Sequence, residues 1–201
     1  SAGLPAGGHV FTATAIDEAG NPSGTSNSWS VTIDLTAPAA PVIGQVVDDV
    51  QGTTGVLAPN AITNDNRPTL NGSGEPGATI SILLDGNQIG TTVVSPEGAW
   101  TFTPTLVIPD GSHTLTATAT DNAGNVGQPS GGFAFTVDTS IPALPTIGSV
   151  TDNAGDVTGP VTSGSPTDET LPLLQGTVPE GTTITVYDGA TLLGTATLDG
   201  N

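Results

Sequence analysis

His113–Asn125 reads HTLTATATDNAGN, and a near copy of this stretch, HVFTATAIDEAGN, stands at His9–Asn21. The two copies are offset by 104 residues (113 minus 9), and the same offset carries VTID at residues 31–34 onto FTVD at residues 135–138. The repeats of solenoid proteins are about 20–50 residues long, whereas a period near 100 suits a whole small domain. The chain therefore contains about two copies of the sequence of one domain.

Composition places the chain among folded, strongly acidic proteins. Its 201 residues include 19 acidic residues, one basic residue, 28 glycines, 17 prolines and no cysteine. The hydrophobic fraction of 35% is low, but apolar residues alternate with polar ones, which is typical of strands and not of disorder. No disulfide can form, and no apolar run approaches the ~20 residues of a membrane span, so membrane insertion is not expected.

Alternating residues separated by turn sequences predict strands throughout the chain. In the first copy, strands are predicted over residues 10–15 and 29–33, on either side of a turn at residues 18–22. The second copy contains a long polar loop at residues 48–68 and seven strands, expected at residues 42–47, 69–72, 79–84, 88–94, 99–103, 113–120 and 133–137. No helical period is present. The pattern predicts an all-β chain of tandem immunoglobulin-like antiparallel β-sandwiches.

Large apolar residues on one face of these strands predict the core of the complete domain. Antibody domains pack a tryptophan against a disulfide, but this chain has no cysteine, so apolar side chains must fill that place. The expected core residues are Ile80, Ile82, Trp100, Phe102, Leu115, Phe133 and Phe135.

Proline-containing stretches divide the chain into domains. Residues 35–40 and 139–144 contain prolines that disfavour helix and stiffen the chain, which predicts two short linkers. The pieces between them are the C-terminal part of one domain at 1–34, a complete domain at 41–138 and the N-terminal part of a third at 145–201. The two incomplete pieces are complementary, which predicts swapped or end-to-end contact between chains besides contact with neighbouring domains of the same chain.

Three sequence features resemble those of a known family. They are the Asp-x-Thr-x-Pro-like joints at Asp34–Pro38 and Asp138–Pro142, the stretch TATATDNAGN and the turn GEPGATISILLDG. Together they resemble the bacterial Ig-like repeats of large, biofilm-associated, RTX-type adhesins that are exported by type I secretion. The resemblance implies a structural extender or spacer repeat with a role in cell adhesion and biofilm formation, secreted to the bacterial cell surface.

The charge of the chain predicts a bound cation. A net charge of −18 with one basic residue leaves few internal ion pairs, and Ca²⁺ takes about 6–8 oxygen ligands from carboxylates, amides and main-chain carbonyls. In an Ig-like sandwich the loop between the last two strands lies beside the preceding linker, and the resemblance implies that such joints bind Ca²⁺ and become rigid. The predicted ligands are Asp34, Asp121, Asn122 and Asn125 at this joint, and Asp48, Asp49, Asp65, Asp110 and Asp138 at the opposite end, near the next joint.

Several of these residues have a second interpretation. Asp and Asn also cap turns and tolerate left-handed backbone, so the DNAGN stretch is equally expected as a turn without metal. Asn64-Asp65 and Asp168-Glu169 occupy equivalent loop positions, where solvated charges are expected. An EF-hand beginning at Asp152 is excluded, because position 12 of that loop is Ser163 and not glutamate.

Catalysis and nucleic-acid binding find little support. No GxSxG, HExxH or P-loop motif is present, and the two histidines, His9 and His113, are repeat equivalents for which a structural role at a strand edge is expected. One arginine without lysine cannot neutralise nucleic-acid phosphates. Two functions besides the spacer stay open: a carbohydrate- or protein-binding module, which an aromatic content of 3% disfavours, and an accessory Ig-like domain of a secreted hydrolase.

Overall fold

The structure, a computed structural model, describes residues 3–52, 54–179 and 181–196. Every regular element in these residues is a β-strand or an isolated bridge, so none of them forms a helix that could cross a membrane. The chain divides into two compact units, residues 1–139 and 140–201.

The first unit begins with a two-stranded hairpin of β1 (Gly7–Phe11) and β2 (Trp29–Ile33). The strands are antiparallel, with Gly7 opposite Ile33 and Phe11 opposite Trp29. Most side chains of this hairpin are exposed, because two strands alone offer no second layer to pack against.

A complete sandwich follows the hairpin. Its strands are β3 (Val42–Asp48), β4 (Gly55–Val56), β5 (Ile62–Thr63), β6 (Thr69–Ser73), β7 (Thr79–Leu84), β8 (Asn87–Val93), β9 (Ala99–Phe102), β10 (Gly111–Thr120) and β11 (Phe133–Val137). One sheet has the order β4-β3-β6-β9 and the other the order β5-β11-β10-β7-β8. All neighbours are antiparallel except β5 and β11. The predicted all-β, Ig-like fold class is confirmed.

The core lies between the two sheets and contains the predicted residues. Ile80, Ile82, Trp100, Leu115 and Phe135 are buried, while Phe102 and Phe133 are partly buried against them. Gly72 makes room for Trp100, because a Cβ at this position would lie 2.2 Å from the indole ring. The indole N–H donates to the main-chain oxygen of Ser73 at 3.0 Å, which avoids an unpaired buried donor.

Two short strands lie in the segment that the sequence predicts as a plain loop, residues 48–68. Strand β4 pairs with the end of β3, and β5 pairs in parallel with β11. The prediction of an irregular loop is therefore wrong. Strands of two residues are too short to produce a readable alternation, and they form here because the neighbouring strands offer unpaired main-chain groups.

The tight turn predicted at residues 85–87 is present. Leu84 is opposite Asn87, and the two turn residues between them, Asp85 and Gly86, have φ angles of 51° and 81°. Positive φ at both positions is the signature of the type I′ turn, whose twist matches that of the flanking strands.

Strand β1 is shorter than predicted, because it ends at Phe11 and not at residue 15. In the sandwich, the equivalent residues 111–115 of β10 pair with β11, whereas residues 115–120 pair with β7 on the other side. The hairpin has only the first of these two partners. The sequence of a strand alone thus does not set its length, which also depends on the strands that it pairs with.

The second unit repeats the first half of the sandwich. Strands β12 (Thr146–Asp152), β13 (Gly159–Pro160) and β14 (Leu173–Thr177) form a sheet of order β13-β12-β14, and β15 (Ile184–Asp188) pairs with β16 (Thr191–Ala196). The register is also repeated, since Val150 is opposite Leu174 in this unit and Val46 is opposite Leu70 in the sandwich.

Candidate functional site

The loop after β10 is a turn closed by the side chain of Asp121. Its Oδ1 accepts hydrogen bonds from the main-chain nitrogens of Ala123 and Asn125, each at 2.8 Å, and its Oδ2 accepts one from Asn125 Nδ2 at 2.8 Å. The side-chain bond from Asn125 is the main reason that the pKa of Asp121 lies below its ordinary value. These hydrogen bonds therefore favour the ionised form of Asp121.

The same turn forms in the first copy. Asp17 accepts hydrogen bonds from the main-chain and side-chain nitrogens of Asn21 at 2.8 and 3.0 Å, and this also lowers the pKa of Asp17. The turn interpretation of the Asp-x-x-x-Asn pattern thus holds in both copies. Any role at a joint is additional to it.

Asn125 also connects this turn to the linker. Its Nδ2 donates a hydrogen bond of 3.1 Å to the main-chain oxygen of Asp34. Just beyond, a Cβ placed on Gly127 would lie 2.4 Å from the main-chain oxygen of Pro38, so the linker and the loop touch where only glycine fits. The structure therefore places Asp121 and Asn125 beside Asp34, as the Ig topology predicts.

A solvent-facing cleft of about 340 Å³ lies at this junction of hairpin, linker and sandwich. It is lined by Thr32, Asp34, Glu75, Asp121, Asn122 and Ala123. Three of these side chains are carboxylates, and none is basic. Among the predicted ligands, Asp34, Asp121 and Asn122 line the cleft directly, and Asn125 supports it through its hydrogen bonds.

Glu75 also lines the cleft, although the sequence does not predict it as a ligand. It lies between β6 and β7, in a stretch that the sequence predicts only as a turn. In an Ig-like sandwich the loop between the second and third main strands and the loop between the last two lie at the same end. That topological rule would have placed Glu75 beside Asp121.

The side chains that line the cleft offer oxygen atoms as metal ligands, and these fit Ca²⁺ better than a metal that prefers nitrogen or sulfur. In the part of the chain that the structure describes, no three His, Cys, Asp or Glu side chains are grouped so that they could hold one metal ion. Carboxylates alone therefore do not form a complete ligand set. An ion here would draw its remaining oxygens from the Asn122 amide, main-chain carbonyls and water.

At the opposite end, Asp48 is buried and bonded to its own loop. Only 2% of its surface is exposed. Its Oδ2 accepts a hydrogen bond from the Thr63 hydroxyl, and its Oδ1 accepts one from the main-chain nitrogen of Val50 at 2.9 Å. This carboxylate fixes the end of β3 to β5.

Asp65 is equally buried, so the prediction that it is a solvated charge is wrong. Its exposed fraction is 2%, and its two oxygens accept hydrogen bonds from the main-chain nitrogens of Arg67 at 2.8 Å and Asp49 at 3.3 Å. Its own main-chain nitrogen donates to the Thr63 hydroxyl at 3.0 Å. Asp48, Thr63 and Asp65 together form what we call the carboxylate clasp, which orders the segment between β3 and β6.

The carboxylate clasp is repeated in the second unit. Thr167 donates a hydrogen bond to Asp152, and Glu169 accepts hydrogen bonds from the main-chain nitrogens of Asn153 and Leu171 at 3.1 and 2.7 Å. These residues lie 104 positions after the corresponding residues of the first clasp. The hydrogen bond from Thr167 is the main reason that the pKa of Asp152 lies below its ordinary value. The clasp is therefore an element of the fold, made with Asp or Glu at its second carboxylate.

The remaining predicted ligands, Asp49, Asp110 and Asp138, lie at the same end of the sandwich as the clasp. The main-chain nitrogen of Asp138 donates to the Thr63 oxygen at 2.9 Å, and Asp110 Oδ1 accepts hydrogen bonds from the main chain and hydroxyl of Thr139 at 3.1 and 2.8 Å. Asp49 is exposed. The five residues of the second predicted cluster therefore share one end of the sandwich, and the two buried ones, Asp48 and Asp65, already serve the fold.

His113 has a structural role near the start of β10, the middle strand of the five-stranded sheet. Its Nδ1 lies 2.7 Å from Asp85 Oδ2, and its Nε2 donates to the main-chain oxygen of Pro109 at 2.8 Å. Partial burial lowers the pKa of His113, but the hydrogen bonds to Asp85 and Pro109 outweigh it and the net direction is upward. Both ring nitrogens face acceptors, which the imidazolium form satisfies fully. His9 makes the corresponding bond to Pro5 at 2.9 Å.

Comparison with known proteins identifies the central segment. Residues 40–139 match the family model described as Bacterial Ig-like domain. This segment is a bacterial Ig-like domain. The match begins and ends within one residue of the predicted central domain, 41–138. No catalytic family matches the chain, and no curated protein matches its sequence.

Several solved structures are similar to the chain. A tetra-tandem repeat in the extending region of a large adhesion protein is 22% identical, with a TM-score of 0.39 over 86% of this chain and 48% of that one. The BSP domain of a biofilm-associated protein is 18% identical, with a TM-score of 0.35 over 67% and 25% of the two chains. Fibronectin(III)-like modules of CbhA from Clostridium thermocellum are 18% identical, with a TM-score of 0.38 over 67% and 64%. This chain spans less than two thirds of each relative, and the fold assignment depends on sheet topology and the family match.

Proposed function

We propose that this chain is an extender segment of a large bacterial surface adhesin, with calcium ions stiffening the joints between its Ig-like domains. The observation that carries the proposal is the junction at residue 34, where Asn125 bonds the linker and three carboxylates line one cleft. A module that only spaces a distal binding domain needs controlled joints and no catalytic groups. The proposal places the protein outside the cell, in adhesion and biofilm formation, with export by type I secretion.

The electrostatics of the cleft give calcium its mechanical role. Asp34 ends the piece 1–34 directly before the linker, whereas Glu75 and Asp121 belong to the sandwich, so their mutual repulsion pushes the two parts away from each other. A divalent cation between them cancels this repulsion and bonds oxygens on both sides. The joint then loses its hinge freedom, and an array of such joints becomes a stiff rod.

A second ion is proposed at the opposite end, near Asp49, Asp110 and Asp138. The carboxylate clasp orders the segment that carries Asp49, and Asp138 directly precedes the linker at residues 139–144. Asp48 and Asp65 support this site by shaping its loop. Each linker would then have one calcium-binding cluster beside it.

Calorimetric melting with calcium, magnesium or a chelator tests the proposal. An ion present at about 100 times its dissociation constant stabilises the folded state by about 2.7 kcal/mol, which is readily seen as a rise in melting temperature. The variant Asp34→Asn with Glu75→Gln removes two charges from the cleft without changing side-chain size and is expected to lose part of this rise. The matched control, Glu18→Gln with Asp156→Asn, removes two exposed charges elsewhere and is expected to keep it. An identical calcium response in both variants would count against the cleft as the binding site.

A further inference from the structure

The charged residues of the complete sandwich lie almost entirely outside its strands. Residues 41–138 contain nine carboxylates and one arginine, and nine of these ten groups belong to the connections between strands or follow the last strand. The tenth, Asp48, is the last residue of β3 and is buried. The strands of the sandwich therefore expose no carboxylate, arginine or lysine, although the chain has a net charge of −18.

One outer strand of the sandwich is suited to pairing with a further strand. The outermost strands of the two sheets are β4, β9, β5 and β8. Strands β4 and β5 have two residues each and β9 has four, whereas β8 has seven. Short length, charged side chains and prolines normally protect an outer strand from pairing, and β8, which reads NQIGTTV, has none of these three. A register shift against β7 makes Ile89 an extra residue and leaves residues 90–93 as the regular part of β8.

Two residues of this regular part direct their main-chain groups away from the sandwich. The main-chain nitrogen of Val94, the next residue, donates a hydrogen bond of 3.0 Å to the Ala78 oxygen, so Val94 bonds towards β7. Alternate residues of an antiparallel strand bond to the same side, so Thr92 also faces β7, whereas Thr91 and Val93 face away from it. The side chains of Thr91 and Val93 are exposed as well.

We propose that β8 of one copy of this chain pairs with β8 of a second copy, in antiparallel direction about a twofold axis at Thr92. Thr91 of each copy is then opposite Val93 of the other, and each of these pairs exchanges main-chain hydrogen bonds in both directions. The five-stranded sheets of the two copies become one continuous sheet. The Val93 side chain, which is 62% exposed in the single copy, packs beside Thr91 of the other copy.

The distribution of charge favours a second copy as the occupant of this edge. A twofold contact uses the same surface on both copies, so a charged outer strand would bring like charges together. Strand β8 contains no charge and avoids this repulsion. A basic partner would instead bind the carboxylates outside the strands, where the negative charge is concentrated. An uncharged edge on a strongly acidic chain therefore fits another copy of the same edge.

The equivalent strand of the second unit has the same character. Strand β16, which reads TLLGTA, begins 104 residues after β8, pairs with β15 and contains no charged residue or proline. A chain with several such edges gains from each contact already made, because the next one is intramolecular. Since the paired strands are antiparallel, the two chains run in opposite directions at the contact, as chains from two facing cells do. This last step rests on the proposed function, whereas the contact itself does not.

Cysteine cross-linking tests the register, because the natural chain has no cysteine. In the proposed contact Thr92 lies opposite Thr92 of the second copy, in a pair without main-chain hydrogen bonds, where side chains are closest and a disulfide can form. Under mild oxidation we expect Thr92→Cys to give a covalent dimer at several times the yield of Thr118→Cys. Thr118 is also a half-buried threonine of this sheet, but it lies on the middle strand β10. Equal yields from the two variants would overturn the proposal.

Hydrogen exchange on the natural chain gives the second readout. Pairing places the main-chain N–H groups of Thr91 and Val93 in hydrogen bonds, so their exchange is expected to slow several-fold as the chain concentration rises. The N–H groups of β9 are expected to exchange equally fast at all concentrations. Sodium chloride at about 1 M, where the Debye length is about 3 Å, screens general repulsion. A chelator makes the result independent of the proposed calcium sites. Exchange at Thr91 and Val93 that does not change with concentration would overturn the proposal.

Added charge on β8 and on β7 gives a matched pair of variants. Thr91→Glu with Val93→Glu places carboxylates opposite each other across the contact and is expected to abolish the concentration dependence of exchange on β8. Thr79→Glu with Ser81→Glu adds the same two charges to the paired positions on β7, one strand further from the edge, and is expected to keep it. Loss of the concentration dependence in both variants would show that overall charge governs association, and would overturn the proposal.

Discussion

Asn125 donates a hydrogen bond of 3.1 Å to the main-chain oxygen of Asp34, a residue 91 positions earlier in the chain. The same side chain also closes the turn with Asp121 at 2.8 Å. The side-chain amide of Asn125 therefore closes its own loop and also bonds to the residue directly before the linker. Because its counterpart Asn21 closes an identical turn in the first copy, the chain contains its own control for separating these two roles.

Replacing Asn125 with alanine is expected to loosen the linker and to leave the sandwich folded. Two side-chain hydrogen bonds are lost, which lowers the free energy of unfolding by about 1–2 kcal/mol. Hydrogen exchange should become faster at the main-chain nitrogen of Thr36, which donates to Asp34 Oδ1 at 2.9 Å. The control variant Asn21→Ala breaks the equivalent turn, and an equal acceleration at Thr36 in both variants would contradict the linker role.

Gly127→Ala is expected to displace the linker without breaking the core. The added Cβ would lie 2.4 Å from the Pro38 oxygen, which is closer than the two atoms can approach. We expect the sandwich to keep its melting temperature within a few degrees while protease cleavage of the linker becomes several times faster. Gly131→Ala is the matched control, because a Cβ there meets nothing within 4 Å. Unchanged cleavage in Gly127→Ala would show that the linker is not held at this point.

Asp48→Ala is expected to destabilise the sandwich strongly. The substitution leaves the Thr63 hydroxyl and the Val50 main-chain nitrogen without their acceptor in a buried place. Hydrogen bonds to charged groups contribute about 1.5–3 kcal/mol, so a loss of about 3 kcal/mol is expected in denaturant unfolding. Asp49→Ala removes an exposed carboxylate next to it and is expected to change the unfolding free energy by less than about 0.5 kcal/mol. Similar losses in both variants would mean that the carboxylate clasp has no special role in the fold.

The pair of His113 and Asp85 predicts a pH dependence of stability. The pKa of His113 is raised above 6.5 in the folded state, so its contribution is complete below pH 6.5 and is lost as the pH rises through the folded value. The hydrogen bond with His113 is the main cause that lowers the pKa of Asp85 below 3.8 in the folded state. The contribution of Asp85 to stability is therefore present above pH 3.8 and is lost as the pH falls through the pKa of Asp85 in the folded state. The pair therefore stabilises most between these two values.

Denaturant unfolding at pH 5.5 and pH 8.5 measures this effect. The Asp85 side chain is 46% exposed, so solvent screening limits the expected difference to about 1 kcal/mol or less. The difference should disappear in His113→Gln and persist in His9→Gln, whose histidine lies outside the sandwich. A pH effect in His113→Gln as large as that in the natural chain, or larger, would contradict the assignment.

The sequence predicts the sandwich well because its strands are long enough to show alternation. The core positions Ile80, Ile82 and Leu115 follow directly from that pattern, and the turn at Asp85 follows from turn chemistry. The clasp at Asp65 does not follow, because a charged residue just after a strand of only two residues resembles any polar loop. Its burial depends on β5 pairing with the distant β11, which no local pattern reveals.

The candidate site was predictable in its location and only partly in its members. The Ig topology places the loop of Asp121 beside Asp34, and the hydrogen bond from Asn125 agrees with that. Glu75 required a further topological step, since it reaches the cleft from a turn 46 residues earlier than Asp121 (121 minus 75). The length of β1 could not be predicted from its own residues, because it depends on which other strands pair with β1.

Stiffening of the joint by calcium is tested most directly by a distance measurement across it. Spin labels at Ser28→Cys on the hairpin and Gln88→Cys on β8 report the distribution of distances between the two parts, and both positions are exposed. With calcium we expect one narrow distribution, and with a chelator a distribution that is clearly broader. Magnesium at the same concentration should leave the distribution broad. Equal widths with and without calcium would contradict the central claim that the ion holds the linker against the sandwich.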